Sequence, residues 1–86
     1  MSPEQPLGFP PHETTTGNAI RLAIQHWKLT ARQGEVLSLV ARGLTNALIA
    51  EELGIGQGTV EFHLSAIFDK AGVANRASLI VRLLNA

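Results

Sequence analysis

The side chains with most to offer chemically are gathered in one stretch, Gln57-Gly58-Thr59-Val60-Glu61-Phe62-His63-Leu64-Ser65. It holds an amide, two hydroxyls, a carboxylate, an aromatic ring and an imidazole. No Gly-rich phosphate loop, paired carboxylates or Ser/His/Asp arrangement accompanies them, so an enzyme is not expected. Such groups are suited to recognition. Gln57 can bond adenine, Glu61 can accept from the amino group of cytosine, Phe62 can lie on a thymine methyl, and Ser65 suits either kind of base edge. The stretch has no Arg or Lys, so the commonest specific contact, a cation on guanine, is missing from it.

These residues need a helix to present them together. Val60, Leu64, Ile67 and Ala71 recur at helical spacing and form one apolar stripe. On a wheel of about 100° per residue, Leu64, Ile67 and Ala71 fall within about 40° of Val60, while Gly58, Phe62, Ser65 and Asp69 point away and Glu61 lies on the flank. Gly72 supplies a left-handed stop, with Val73 as the apolar contact behind it. Upstream, Thr45–Leu53 reads as a shorter helix ending at Gly54, and Gly54 with Gly56 brackets a tight turn. Two helices joined by a short glycine turn make a helix-turn-helix, whose second helix, here 57–71, reads the major groove. Thr59 and the helix N-terminus favour an anion, and Lys70, Arg76 and Arg32 are the expected phosphate contacts. Each residue also has a plainer role. Phe62 suits a neighbouring protein surface, and Glu61 a solvated helix flank. His63, beside the stripe, suits packing or a phosphate, Lys70 suits the helix dipole, and Arg76 suits an internal brace to Glu35.

Composition sets the bounds. The 86 residues make room for one domain with a small core. Seven Lys/Arg balance seven Asp/Glu. Over 29–86 the balance also holds, Arg32, Arg42, Lys70, Arg76 and Arg82 facing Glu35, Glu51, Glu52, Glu61 and Asp69. A nucleic-acid-binding domain is ordinarily basic, so this neutrality weighs against the reading above. The absence of cysteine excludes disulfides, thiolate metal sites and cysteine nucleophiles. His12 and His26 have no ligand partner at helical spacing, and neither metal nor cofactor is expected. No apolar run spans a bilayer and no leader pattern opens the chain, which makes the cytoplasm the expected location and no membrane the expected partner.

In chain order, residues 1–16 hold all four prolines and a threonine run, and read as a disordered tail or linker. Residues 17–28 read as a short amphipathic helix with Thr16 as N-cap and Ile20, Ala23, Ile24 and Trp27 on one face. Thr30-Ala31-Arg32-Gln33 is a capping box opening a helix with Val36, Leu37, Val40 and Ala41 inward, ending at Gly43-Leu44. Thr45 caps the next, with Ile49, Ala50 and Leu53 inward. Asn75 caps a last helix to about Asn85. Its Leu79, Ile80, Leu83 and Leu84 spread too widely for one stripe, so part of that surface is expected to hold a second subunit in a weak homodimer. The class is all-α, with residues 29–86 as the helix-turn-helix domain.

Leu29-Thr30-x-Arg32-Gln33-x-Glu35-Val36-Leu37, Gly43-Leu44-Thr45-Asn46-x-x-Ile49-Ala50-x-x-Leu53, Thr59-Val60-x-x-His63, Lys70-x-Gly72-Val73 and Arg76-Ala77 together resemble the LuxR-type (GerE-like) helix-turn-helix domain over 29–84. Sigma-factor region four resembles the first half equally, and His63, Gly72-Val73 and the final helix favour the LuxR type. The resemblance implies a four-helix domain that binds double-stranded DNA as a dimer, often behind a receiver or ligand-sensing domain. Ala47-Leu48 stands where many members carry Lys-Glu, and Glu61 where many carry Lys. The expectation is a sequence-specific DNA-binding transcriptional regulator or its output domain. The alternative is the same fold used for protein–protein contact.

Overall fold

A computed structural model describes residues 11–85, with side chains from Gly17 onward. Five helices follow one another: α1 Pro11–His26, α2 Ala31–Ala41, α3 Asn46–Leu53, α4 Gln57–Ala71 and α5 Arg76–Leu84. All regular structure among the described residues is helical.

The sequence explains the boundaries locally. Thr30 Oγ accepts from the Gln33 amide at 3.1 Å while Gln33 Oε1 accepts from the Thr30 amide at 3.0 Å, completing the expected box. Thr45 and Asn75 cap α3 and α5 through the amides of Leu48 and Ser78. Four helices end alike. A residue at positive φ is followed by an apolar residue whose amide donates to the carbonyl five positions back: Leu29 to Ile24, Leu44 to Leu39, Ile55 to Ala50 and Val73 to Phe68. Three of the positive-φ residues are the glycines 43, 54 and 72; the fourth is Lys28, at φ 56°.

Helix α1 begins at Pro11, six residues ahead of the expected Gly17. Proline at the first helical position lacks only an N–H that would have no partner there, and its ring presets φ. Helix α1 thus runs through 11–16, the end of the stretch expected as tail or linker, with Thr16 within it. The expected tail over 1–10 lies outside the described residues, as does Ala86.

The core is one cluster drawn from all five helices. Leu37, Ile49, Ile67 and Leu79 are completely enclosed, with Val36, Val40 and Val60 beside them. Burial of such a side chain contributes roughly 1.5–3 kcal/mol. Helix α1 packs against α2 and α5 and joins this cluster through Ala23, with Trp27 just past its end. Gly34 makes the approach of α1 to α2 tight, since a Cβ there would lie 2.8 Å from Ile24 Cδ1. Trp27 is a core anchor, as its spacing implied.

Candidate nucleic-acid interface

Helices α3 and α4 are joined by Gly54-Ile55-Gly56, with Gly54 at φ 68° and Ile55 packed on the core. The turn fixes which side of α4 faces in. Val60, Leu64, Ile67 and Ala71 are buried, and Gln57, Gly58, Thr59, Glu61, Phe62, Ser65 and Asp69 are exposed, as the wheel predicts. His63 is half-buried between the two sides and meets the Phe62 ring edge-on, centroids 6.1 Å apart at 64°. Phe62 itself is 72% exposed. The amide, carboxylate, ring and hydroxyl thus share one outward surface, and it carries no cation.

The start of α4 differs from the starts of α2, α3 and α5. Its N-cap is Gly56, which offers no side-chain acceptor, so the positive end of α4 has no oxygen of its own over the amides of Gln57 and Gly58. Thr59 stands at the third helical position with its side chain exposed. Beside this end lies a shallow cleft lined by Thr45, Asn46, Gln57 and Arg76.

The three cations expected to meet phosphates all have protein partners. Arg32 Nη1 donates to Glu35 Oε1 at 3.0 Å, both side chains largely exposed. Lys70 Nζ donates to Gln33 Oε1 at 2.9 Å and to the Lys28 carbonyl at 3.2 Å. It thereby ties the end of α4 to the corner between α1 and α2. Arg76 donates to Asn46 Oδ1 at 2.9 Å and to the Leu44 carbonyl, bracing the start of α5 against the loop before α3. An internal role for Arg76 was one of its two expected readings, but the partner differs. Glu35 is taken by Arg32, its neighbour one helical turn away.

The GerE family profile, described as "Bacterial regulatory proteins, luxR family", matches residues 28–83, most of the chain. The chain belongs to this family.

Named relatives agree. "Probable transcriptional regulatory protein SgaR" of Hyphomicrobium methylovorum is 48% identical over 52 residues, which cover 60% of this chain and 25% of that protein. "Transcriptional regulatory protein DesR" of Bacillus subtilis is 48% identical over 54 residues, covering 63% and 27%. "Transcriptional regulatory protein LiaR" of the same species is 42% identical over 59 residues, covering 69% and 28%. The match thus spans about a quarter of each relative's length. No solved structure matches at comparable significance. The chain is a LuxR-family helix-turn-helix domain, of the kind carried by transcriptional regulators rather than enzymes. No helix among the described residues is long and apolar enough to cross a membrane.

Placement within the family domain corrects the expected subunit surface. Leu79 and Leu83 are buried in the chain's own core, against α1 among others, which removes them from an interface between copies. Ile80 is half-buried, and Leu84 is exposed with Val81 and Leu22. Helix α1 and the Trp27 that follows it lie ahead of the matched residues, yet Ala23 and Trp27 belong to the core. Sequence reasoning missed Lys28 as the fourth left-handed cap. Its signal was present: Lys28-Leu29 stands before Thr30 just as Gly43-Leu44 stands before Thr45. Gln33 as the acceptor for Lys70, and Asn46 for Arg76, had no local signal.

Proposed function

We propose that this chain is the DNA-binding output domain of a transcriptional regulator, and that α4 enters the major groove with Gln57, Glu61, Phe62 and Ser65 toward base edges. The observation that carries this is the arrangement of α4 itself. One side is locked into the core behind a glycine turn, the other is a continuous polar and aromatic surface, and the helix start lacks a side-chain cap where a phosphate would sit. Thr59 and His63 flank that surface toward the backbone. Lys70 uses two of its three donors internally, and the exposed Arg32–Glu35 pair exchanges readily for a phosphate, because such pairs contribute little. Arg76 reaches a phosphate while its guanidinium also braces the loop. The chain assembles as a weak homodimer through Leu84 and Ile80 on α5, and acts in the cytoplasm. The quarter-length coverage of DesR and LiaR supports a further, sensing domain in the whole protein or a protein partner in its place.

The test is salt-dependent binding to random duplex, compared between the parent and Glu61→Lys. Each added phosphate contact steepens log affinity against log salt by about 0.9, so the variant should bind random DNA more tightly, with a slope steeper by about that amount per subunit. Unchanged binding and slope would place α4 outside the groove. A second reading, protein–protein contact through the same face, draws on the internal engagement of Lys70, Arg76 and Arg32, and on the balanced charge. It takes first place if the parent shows no salt-dependent binding to duplex.

A further inference from the structure

The outward side of α4 shows a particular relief. The positions one turn either side of Phe62 are Gly58, Thr59, Ser65 and Ala66, all small. Gly58 has no side chain, and a Cβ built there meets nothing within 4 Å. The Phe62 ring therefore stands above a low floor, 72% exposed, with the His63 edge against one side of it. This relief suits a groove better than a protein surface. A protein interface gathers several large anchors in one patch, and no second one adjoins this ring on its own helix. A duplex groove needs the opposite, a backbone free to come close and one ring to meet one apolar group.

In the major groove the apolar group on a base edge is the thymine C5 methyl. Glu61, the preceding residue, is an acceptor with no donor, so it selects an amino group, that of cytosine or adenine, and repels the acceptor edge of guanine. Resting on the DNA-reading function proposed above, we propose that Phe62 is a specificity-determining residue that reads a thymine methyl. Glu61 fixes an amino-bearing base beside it, so the half-site carries thymine next to cytosine or adenine on the edge presented to α4. Specificity then comes from a methyl and an amino group rather than from guanine capture, which matches a face without Arg or Lys.

The experiment selects sites from a random duplex pool with the full chain, then replaces each thymine of the selected half-site by deoxyuridine, which deletes the methyl alone. Withdrawing one methyl-sized contact corresponds to about a fourfold loss of affinity. At one thymine per half-site the parent should lose about that much. Phe62→Ala, whose exposed side chain leaves folding intact, should be indifferent to the same replacement, and Phe62→Leu should recover part of the sensitivity. Glu61→Gln, which can both donate and accept, should relax selection at the neighbouring base and leave the deoxyuridine effect in place. Selected sites whose affinity ignores every deoxyuridine, or a Phe62→Ala protein with the parent's full sensitivity, would overturn the proposal while leaving DNA binding itself intact. Failure to bind random duplex at low salt would overturn both together, and that measurement is made first.

Discussion

The inner and outer sides of α4 share one backbone and one amino-acid run, yet they answer to different constraints. On the inner side Val60, Leu64, Ile67 and Ala71 are fixed by the packing of α2, α3 and α5 on α4, and any change in volume is felt by all of them. On the outer side Gln57, Gly58, Glu61, Phe62 and Ser65 touch little in the chain, so the fold leaves them free to vary. The inner side says what family the chain belongs to. The outer side, on the function proposed above, is where an individual member's target is read, and here it carries a carboxylate and an aromatic ring. The contrast teaches that the same stretch can be diagnostic of fold and silent about target.

The strongest way to break that division is to exchange the expected sensitivities. Leu64→Ala, at 5% exposure, should destabilise by about 2–5 kcal/mol, which is much of the stability of a domain this size. Phe62→Ala, three-quarters exposed and two residues away, should stay within about 0.5 kcal/mol. Thermal melts of the two variants check this directly. A Leu64→Ala protein melting near the parent would mean α4 is not seated as described.

Arg76 tests whether a residue can serve both sides. Its guanidinium bonds Asn46 and the Leu44 carbonyl, so Arg76→Ala should cost about 1.5–3 kcal/mol, the range for hydrogen bonds to a charged group. Chemical denaturation measures that loss. Binding by the fraction that remains folded then shows whether Arg76 also holds a phosphate. A uniform weakening across sequences, with a shallower salt slope, is the expected outcome. An unchanged slope would leave Arg76 a brace only.

What was legible in the sequence follows from the same division. The caps Thr30, Thr45 and Asn75, the glycine stops and the stripe of α4 are local patterns, and local patterns survive into the fold unchanged. The stretch before Gly17 reads as tail because Pro10-Pro11 looks like a breaker, and a proline at the first helical position is accommodated. The cations were legible as charges only. Lys70 meets a carbonyl 42 residues away and Arg76 one 32 residues away, and nothing in either neighbourhood names those partners. The spread of Leu79, Ile80, Leu83 and Leu84 suggested a second subunit, because the docking of α1 on α5 could not be seen from α5 alone.

Lys28 is the place where that docking can be strengthened. It holds φ 56° without glycine's freedom, a conformation that costs an ordinary residue about 1–2 kcal/mol. Its carbonyl, not its side chain, accepts from Lys70. Lys28→Gly should therefore raise stability by about 1 kcal/mol and keep that bond, since glycine holds positive φ at the other three caps. A lower melting temperature would show that the lysine side chain contributes something the backbone does not.

A small expected gain in stability, at Gly58, gives the sharpest separation of the two sides. Gly58 lies within the first turn of α4, exposed, with open space around a built Cβ. Gly58→Ala should gain about 0.5–1 kcal/mol, since glycine is the poorer helix former, and Gly58→Leu should gain nearly as much because leucine is close to alanine in helix propensity. The fold thus has no reason to distinguish the two variants. A groove does. Alanine adds one methyl to the floor beneath Phe62, whereas leucine fills it and holds the backbone of α4 away from base edges. Gly58→Ala should then bind DNA within a few-fold of the parent, and Gly58→Leu, equally stable, should bind by more than an order of magnitude less well, a loss well within what one misplaced base contact removes. Equal melting curves and unequal binding are the expected pair of results, checked by calorimetry and by duplex titration at one salt concentration. Equal binding by the two would mean that this side of α4 never comes close to a duplex, whatever its chemistry suggests.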